Sequence, residues 1–189
     1  MQPNIFTISR HEKFLGKATF TVSSDTGGIW SASTDGTTLS VFKEGDESRA
    51  LYTVEWTKSN ETVYTYPIKD INNQTIAVLS HNLAQSFVRS TWQINNPAGS
   101  VLANITISTL RSLLGHMIWF VPYNYIVYVS NEKVCAYKEH GTLFGKRSFT
   151  VEFSGGSEQK FNQVIGLLSG IIMLRYDSKR GRRYKGSQF

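Results

Sequence analysis

The chain has 189 residues, 40% of them hydrophobic and 18% charged, with a formal net charge of +6. That length and balance describe one globular domain with a sizeable core and exclude a disordered chain. A single cysteine, Cys135, excludes an intramolecular disulfide framework and a cysteine zinc cluster.

Most of the chain reads as short strands. Asn4 to Arg10 alternates, with Phe6, Ile8 and Arg10 on one face. Lys17 to Ser23 alternates Ala18, Phe20 and Val22 with polar residues, and Asp25-Thr-Gly-Gly is a turn signal. Ile29 to Ser33, Leu39 to Lys43, Ala50 to Thr57 and Thr62 to Lys69 follow, then Thr75 to Ser80, Phe87 to Ile94 and Val101 to Ser108. Turns recur about every ten residues, the spacing of an all-β sandwich or barrel. Leu113 to Val129 is apolar but contains His116, Pro122, Asn124 and several aromatics, which exclude a membrane helix. A turn or short helix at Thr109 to Leu114 and strands around Trp119 and at Tyr125 to Val129 are predicted instead. Ser130-Asn-Glu-Lys turns into Val134 to Lys138, Gly141 to Lys146 is a loop, and Arg147 to Phe153 is the last strand.

Phe161 to Leu174 is different in kind. It is apolar without strand alternation: Phe161, Ile165, Leu168 and Ile172 line one side of a helix, and Val164, Leu167, Ile171 and Leu174 another. A helix that is apolar all round is buried all round, and the run falls short of the roughly 20 residues of a membrane span. Ser157 is the expected cap, with Glu158 in the positive first turn and Arg175 at the negative end. Gly166 and Gly170 each cost about 1 kcal/mol against alanine, so they predict close approach by neighbouring side chains. The expected layout is one domain over residues 1–177, with its helix near 158–175, and a flexible basic tail over 178–189.

The charge is segregated. From Arg175 to Phe189 there are six basic residues and one acid, whereas the rest of the chain is nearly neutral. Lys179, Arg180, Arg182, Arg183 and Lys185 put five cations in seven positions and are the expected contacts to a membrane or other polyanion.

Three stretches carry a family likeness. They are Phe20-Thr-Val-Ser-Ser-Asp-Thr-Gly-Gly-Ile, Tyr125-Ile-Val-Tyr-Val-Ser-Asn-Glu-Lys-Val-Cys-Ala-Tyr-Lys with Ser148-Phe-Thr-Val-Glu-Phe, and the helix running to Asp177. In this pattern the chain resembles the tubby-like superfamily, most of all its LURP-one-related and bacterial members, relatives of the phospholipid scramblases. The resemblance implies a mainly β fold, a closed antiparallel barrel of about twelve strands around a central apolar C-terminal helix. It also implies a non-enzymatic domain that binds anionic phospholipid headgroups, or a protein partner, at a membrane surface. The acidic calcium segment of scramblases has no counterpart, since Ser154-Gly-Gly-Ser-Glu-Gln-Lys holds one acid.

Nothing in the sequence points to catalysis. His11, His81, His116 and His140 are scattered and read as turn or surface residues, and Cys135 reads as a buried strand thiol. No cofactor or metal is expected. Two other functions compete: a lipocalin-like carrier of an apolar ligand, suggested by Gly28-Ile-Trp, and non-specific nucleic-acid binding through the basic tail. The lone cysteine and the first residues, which lack the basic and apolar blocks of a signal peptide, predict a cytoplasmic protein peripheral to the membrane.

Overall fold

A computed structural model describes residues 4–12, 18–35, 37–58, 63–82, 91–107, 124–141 and 147–185. The expected turn at 109–114, the strand around Trp119 and most of the 141–146 loop lie outside these residues, as does the first half of the 87–94 strand.

The strands are β1 (Asn4–Glu12), β2 (Ala18–Ser24), β3 (Gly27–Asp35), β4 (Thr38–Lys43), β5 (Tyr52–Glu55), β6 (Thr57–Lys58), β7 (Val63–Asp70), β8 (Thr75–Asn82), β9 (Thr91–Asn95), β10 (Val101–Ile107), β11 (Asn124–Val129), β12 (Glu132–Gly141) and β13 (Arg147–Phe153). Each pairs antiparallel with its neighbours in the order β5-β4-β3-β2-β1-β13-β12-β11-β10-β9-β8-β7-β6. The pairing of Val54 with Ile68 and Tyr52 with Asp70 joins β5 to β7 and closes twelve strands into a barrel. The expectation of a closed barrel of about twelve strands is therefore met.

Alternation drives closure, because each strand has one apolar face to bury. Ile8, Phe20, Val22, Leu39, Val54, Ile68, Leu79, Ile94, Ile105, Val127, Tyr137 and Phe149 are all inside. The opposite positions are largely hydroxyls and charges: Ser9 pairs with Thr21 and Ser148, Thr21 with Ser31, Ser33 with Ser40, and Ser40 with Thr53. This apolar-in, polar-out pattern is the reverse of an outer-membrane barrel. Ser130 and Asn131 both have positive φ, the backbone of a tight mirror-image hairpin turn between β11 and β12.

The segment expected as one strand at 50–57 is two. Trp56 interrupts β5 and β6, and its N–H donates to the Thr37 carbonyl rather than to the ladder. Strand β5 pairs with both β4 and β7, and Trp56 continues the inward alternation of Val54, half-buried against the core.

The helix, α1 (Gln163–Lys185), occupies the interior. Every residue from Ile165 to Leu174 is buried, Leu168 completely. On one side α1 meets β1, β12 and β13, while further along Tyr176 meets His81 of β8 and Trp92 of β9, on a distant arc of the barrel wall. A Cβ at Gly166 would lie 2.8 Å from the Phe153 ring, and one at Gly170 would lie 2.6 Å from Ile8 and 3.0 Å from Tyr137. The glycines thus admit the wall, as their spacing predicts. Two polar groups inside are satisfied: Ser169 donates to the Ile165 carbonyl at 2.8 Å, and the Tyr137 hydroxyl to the Gly166 carbonyl at 2.8 Å.

Two expectations about this helix are corrected. Its cap is Asn162, whose side-chain oxygen accepts the Val164 N–H at 2.8 Å. Ser157 instead begins a 3-10 turn, Ser157–Gln159, so the helix does not start at 158. Its other end runs to Lys185, so residues 178–185 of the expected flexible tail are helix. No proline interrupts Arg175 to Lys185, and Gly181 alone does not stop a helix already nucleated inside the barrel.

Candidate functional site

In an antiparallel meander successive connections alternate between the two ends. The β2–β3, β4–β5, β7–β8, β9–β10 and β11–β12 turns mark one end, where β13 finishes and α1 begins. Helix α1 crosses the barrel and leaves at the opposite end, where β1, β3, β8, β10 and β12 finish. Arg10, Glu139 and Arg175 lie at this exit end, together with the aromatic rings of Trp56, His81, Trp92 and Tyr176.

Arg175 and Tyr176 form the centre. The Arg175 guanidinium carbon lies 3.4 Å from the centroid of a Trp56 ring, a cation–π contact. Burial pulls the Arg175 pKa down to about 10; nearby Tyr66 opposes that shift and Arg10 adds to it. The guanidinium stays charged at neutral pH. Tyr176 meets His81 edge-on at 4.7 Å and Trp92 at 5.2 Å, and His81 stacks on Trp92 at 4.2 Å. Arg10 and Glu139, both 7% exposed, carry charge into the same end of the wall, and Glu139 pairs with Arg147 at 3.6 Å. The aromatic collar fixes where the helix exits, and α1 then carries its cations roughly 15 Å along its axis from Leu174, at about 1.5 Å per residue.

All five expected binding residues, Lys179, Arg180, Arg182, Arg183 and Lys185, belong to these last turns of α1. The helix brings them into one continuous element with Arg175. The expectation that His81 is a surface or turn residue is corrected: it is wholly buried, because its place on β8 continues the inward series Ala77, Leu79, His81. That alternation was the signal available to sequence reasoning. His11 and His140 are exposed on the outer face, near Thr21 at 3.2 Å and Thr150 at 2.8 Å, and His116 lies outside the described residues. Cys135 is buried in β12, and burial pushes its thiol up to about 12. Nearby Tyr137 moves in the same direction, chiefly through its own burial.

Among the described residues, no group of three His, Cys, Asp or Glu side chains could hold a metal ion. Nor is any described helix long and apolar enough to cross a membrane. No family model, curated protein or solved structure matches the chain.

Proposed function

We propose that this barrel is a non-enzymatic binding domain that attaches to anionic membrane surfaces through the basic end of α1. One observation carries the proposal: five cations in seven residues extend a helix whose preceding turns are locked in the core. A rooted helix presents those charges without the ordering cost of a loose segment. Near an anionic leaflet each contributes about 1 kcal/mol. The order of twelve strands and an internal C-terminal helix supports the tubby-like reading, with which this function agrees. A carrier of apolar ligands needs an open interior, and here Leu168, Ile171, Ile172 and Leu174 fill it.

Co-sedimentation with phosphatidylserine vesicles, neutral vesicles and competing duplex DNA tests the proposal. Binding to the anionic vesicles alone is expected, weakening with salt as screening shortens to about 8 Å at physiological strength. Replacing the five cations by Gln should remove most of it. Equal sedimentation of the two proteins would refute the proposal, and preferential competition by DNA would favour nucleic-acid binding through the same residues.

A further inference from the structure

We infer that α1 meets the bilayer on one side only, the side turned toward β5, β6 and β7, and that the barrel leans that way. The inference rests on the attachment proposed above. Its own basis is the rotational phase of the helix, which three contacts inside the barrel fix.

Gly170 approaches Ile8 of β1 and Tyr137 of β12, the two strands that flank β13. An α-helix advances about 100° per residue, so with Gly170 at zero Arg175 falls at roughly 140° and Tyr176 at roughly 240°. The twelve closed strands stand about 30° apart around the wall. Counted from β13 through β1, β5 is then at about 150°, β8 at about 210° and β9 at about 240°. Arg175 does lie against Trp56, which follows β5, and Tyr176 against His81 of β8 and Trp92 of β9. The three contacts agree on one phase, and α1 runs roughly along the barrel axis.

The helix is continuous to Lys185, so the same phase carries into its last turns. Arg182, Lys179 and Arg183 fall at about 120°, 180° and 220°, on the face of Arg175. Asp177, Gly181 and Tyr184 fall within about 40° of zero, on the face that continues from Gly170. Arg180 and Lys185 fall on the flanks, at about 280° and 60°. Four of the six basic residues from Arg175 to Lys185 therefore share one face, and the one acid of that segment is opposite. A helix with its side chains is about 10–12 Å across, more than the screening length of about 8 Å. An anionic plane consequently feels the near face far more than the distant one, and the four-cation face decides the approach. On the barrel, Thr57 of β6 is exposed on the same side, and the nearby Glu55 carboxylate is paired with Lys69 at 3.3 Å.

Two double variants that each remove two charges test the face. Lys179→Gln with Arg182→Gln lies on it, and Arg180→Gln with Lys185→Gln beside it. The first pair should weaken attachment to phosphatidylserine vesicles about 30-fold and the second about three-fold or less. The lean is read by an environment-sensitive fluorophore on Thr57→Cys or His11→Cys in a Cys135→Ala background. Both sites are exposed at the exit end, on different sides of the barrel. With a headgroup-level nitroxide quencher in the vesicles, quenching is expected at Thr57→Cys and not at His11→Cys. A loss from the flanking pair as large as from the first pair, or quenching that does not favour Thr57→Cys, would overturn the one-sided contact and leave attachment through α1 standing. Failure of the unaltered protein to co-sediment would overturn both. The fluorophore measurement leaves α1 intact, so it reads the contact even if a double variant fails to fold.

Discussion

Helix α1 has two halves that obey opposite rules. From Ile165 to Leu174 it is apolar on every face and buried on every face. From Arg175 to Lys185 it has six basic residues, one acid and no aliphatic residue. The backbone is continuous, so the difference lies wholly in the side chains. It separates stability, set by the first half, from recognition, assigned to the second. Arg175 and Tyr176 sit at the boundary and use apolar contact to hold a charge.

The largest break in that comparison comes from charging the first half. Leu168→Asp places a carboxylate at a position with no exposure, where an unpaired charge costs several kcal/mol or forces its own protonation. Loss of a cooperative thermal transition is expected. A folded Leu168→Asp protein of unchanged melting temperature would mean that the helix does not fill the core. Gly170→Leu should cost less, about 1–3 kcal/mol, since even a Cβ there meets Ile8 and Tyr137. Denaturant titration measures it, and a raised midpoint would contradict the close packing.

A buried thiol in the barrel wall makes the fold sensitive to alkali. Burial pushes the Cys135 thiol up to about 12 in the folded chain, against about 8.5 in an unfolded one. Its raised folded value gives stability that is fully present below the unfolded pKa and declines as pH rises toward 12. The slope is up to about 1.4 kcal/mol per pH unit, and Tyr137 adds to it from about pH 10. Unfolding free energies measured from pH 8 to 11 should therefore fall, and Cys135→Ala should flatten the fall below pH 10. A slope unaltered by Cys135→Ala would show that the thiol does not contribute to it.

These effects concern features that were largely legible in the sequence. Alternation at Phe6-Ile8-Arg10 and Ala18-Phe20-Val22 gave the strand faces, and the all-round apolar run gave the internal helix. Gly166 and Gly170 gave the contact with the wall. Less legible were features set by distant partners. Closure depends on β5 meeting β7, and nothing local at Trp56 announces the break between β5 and β6. The collar of Trp56, His81, Trp92 and Tyr176 draws on four places in the chain that only barrel closure unites. The helical cations read as a loose tail because a polar, basic run resembles disorder, although helix formers dominate it and the core nucleates the helix. Asn162 is hard to read as the cap because Ser157, with Glu158 behind it, offers a similar signal five residues earlier. Asn162→Ala should cost about 1 kcal/mol in chemical denaturation, and Ser157→Ala less; the reverse order would move the helix start back.

The smallest effect is the one that sharpens the contrast most. Replacing Lys179, Arg180, Arg182, Arg183 and Lys185 by Gln alters five residues of α1 that follow Leu174, the last helix residue of the apolar core among the described residues. Gln is close to Lys and Arg in helix propensity, so the backbone preference is nearly unchanged. Surface substitutions of this kind stay within about 0.5 kcal/mol each, and removing like charges from neighbouring turns relieves repulsion. The melting temperature should therefore stay the same or rise slightly, while attachment to anionic vesicles is largely lost. A clear fall in melting temperature would place these residues in the folding core and remove the division between the two halves. Unchanged stability with unchanged attachment would keep the division but move recognition to another face of the barrel.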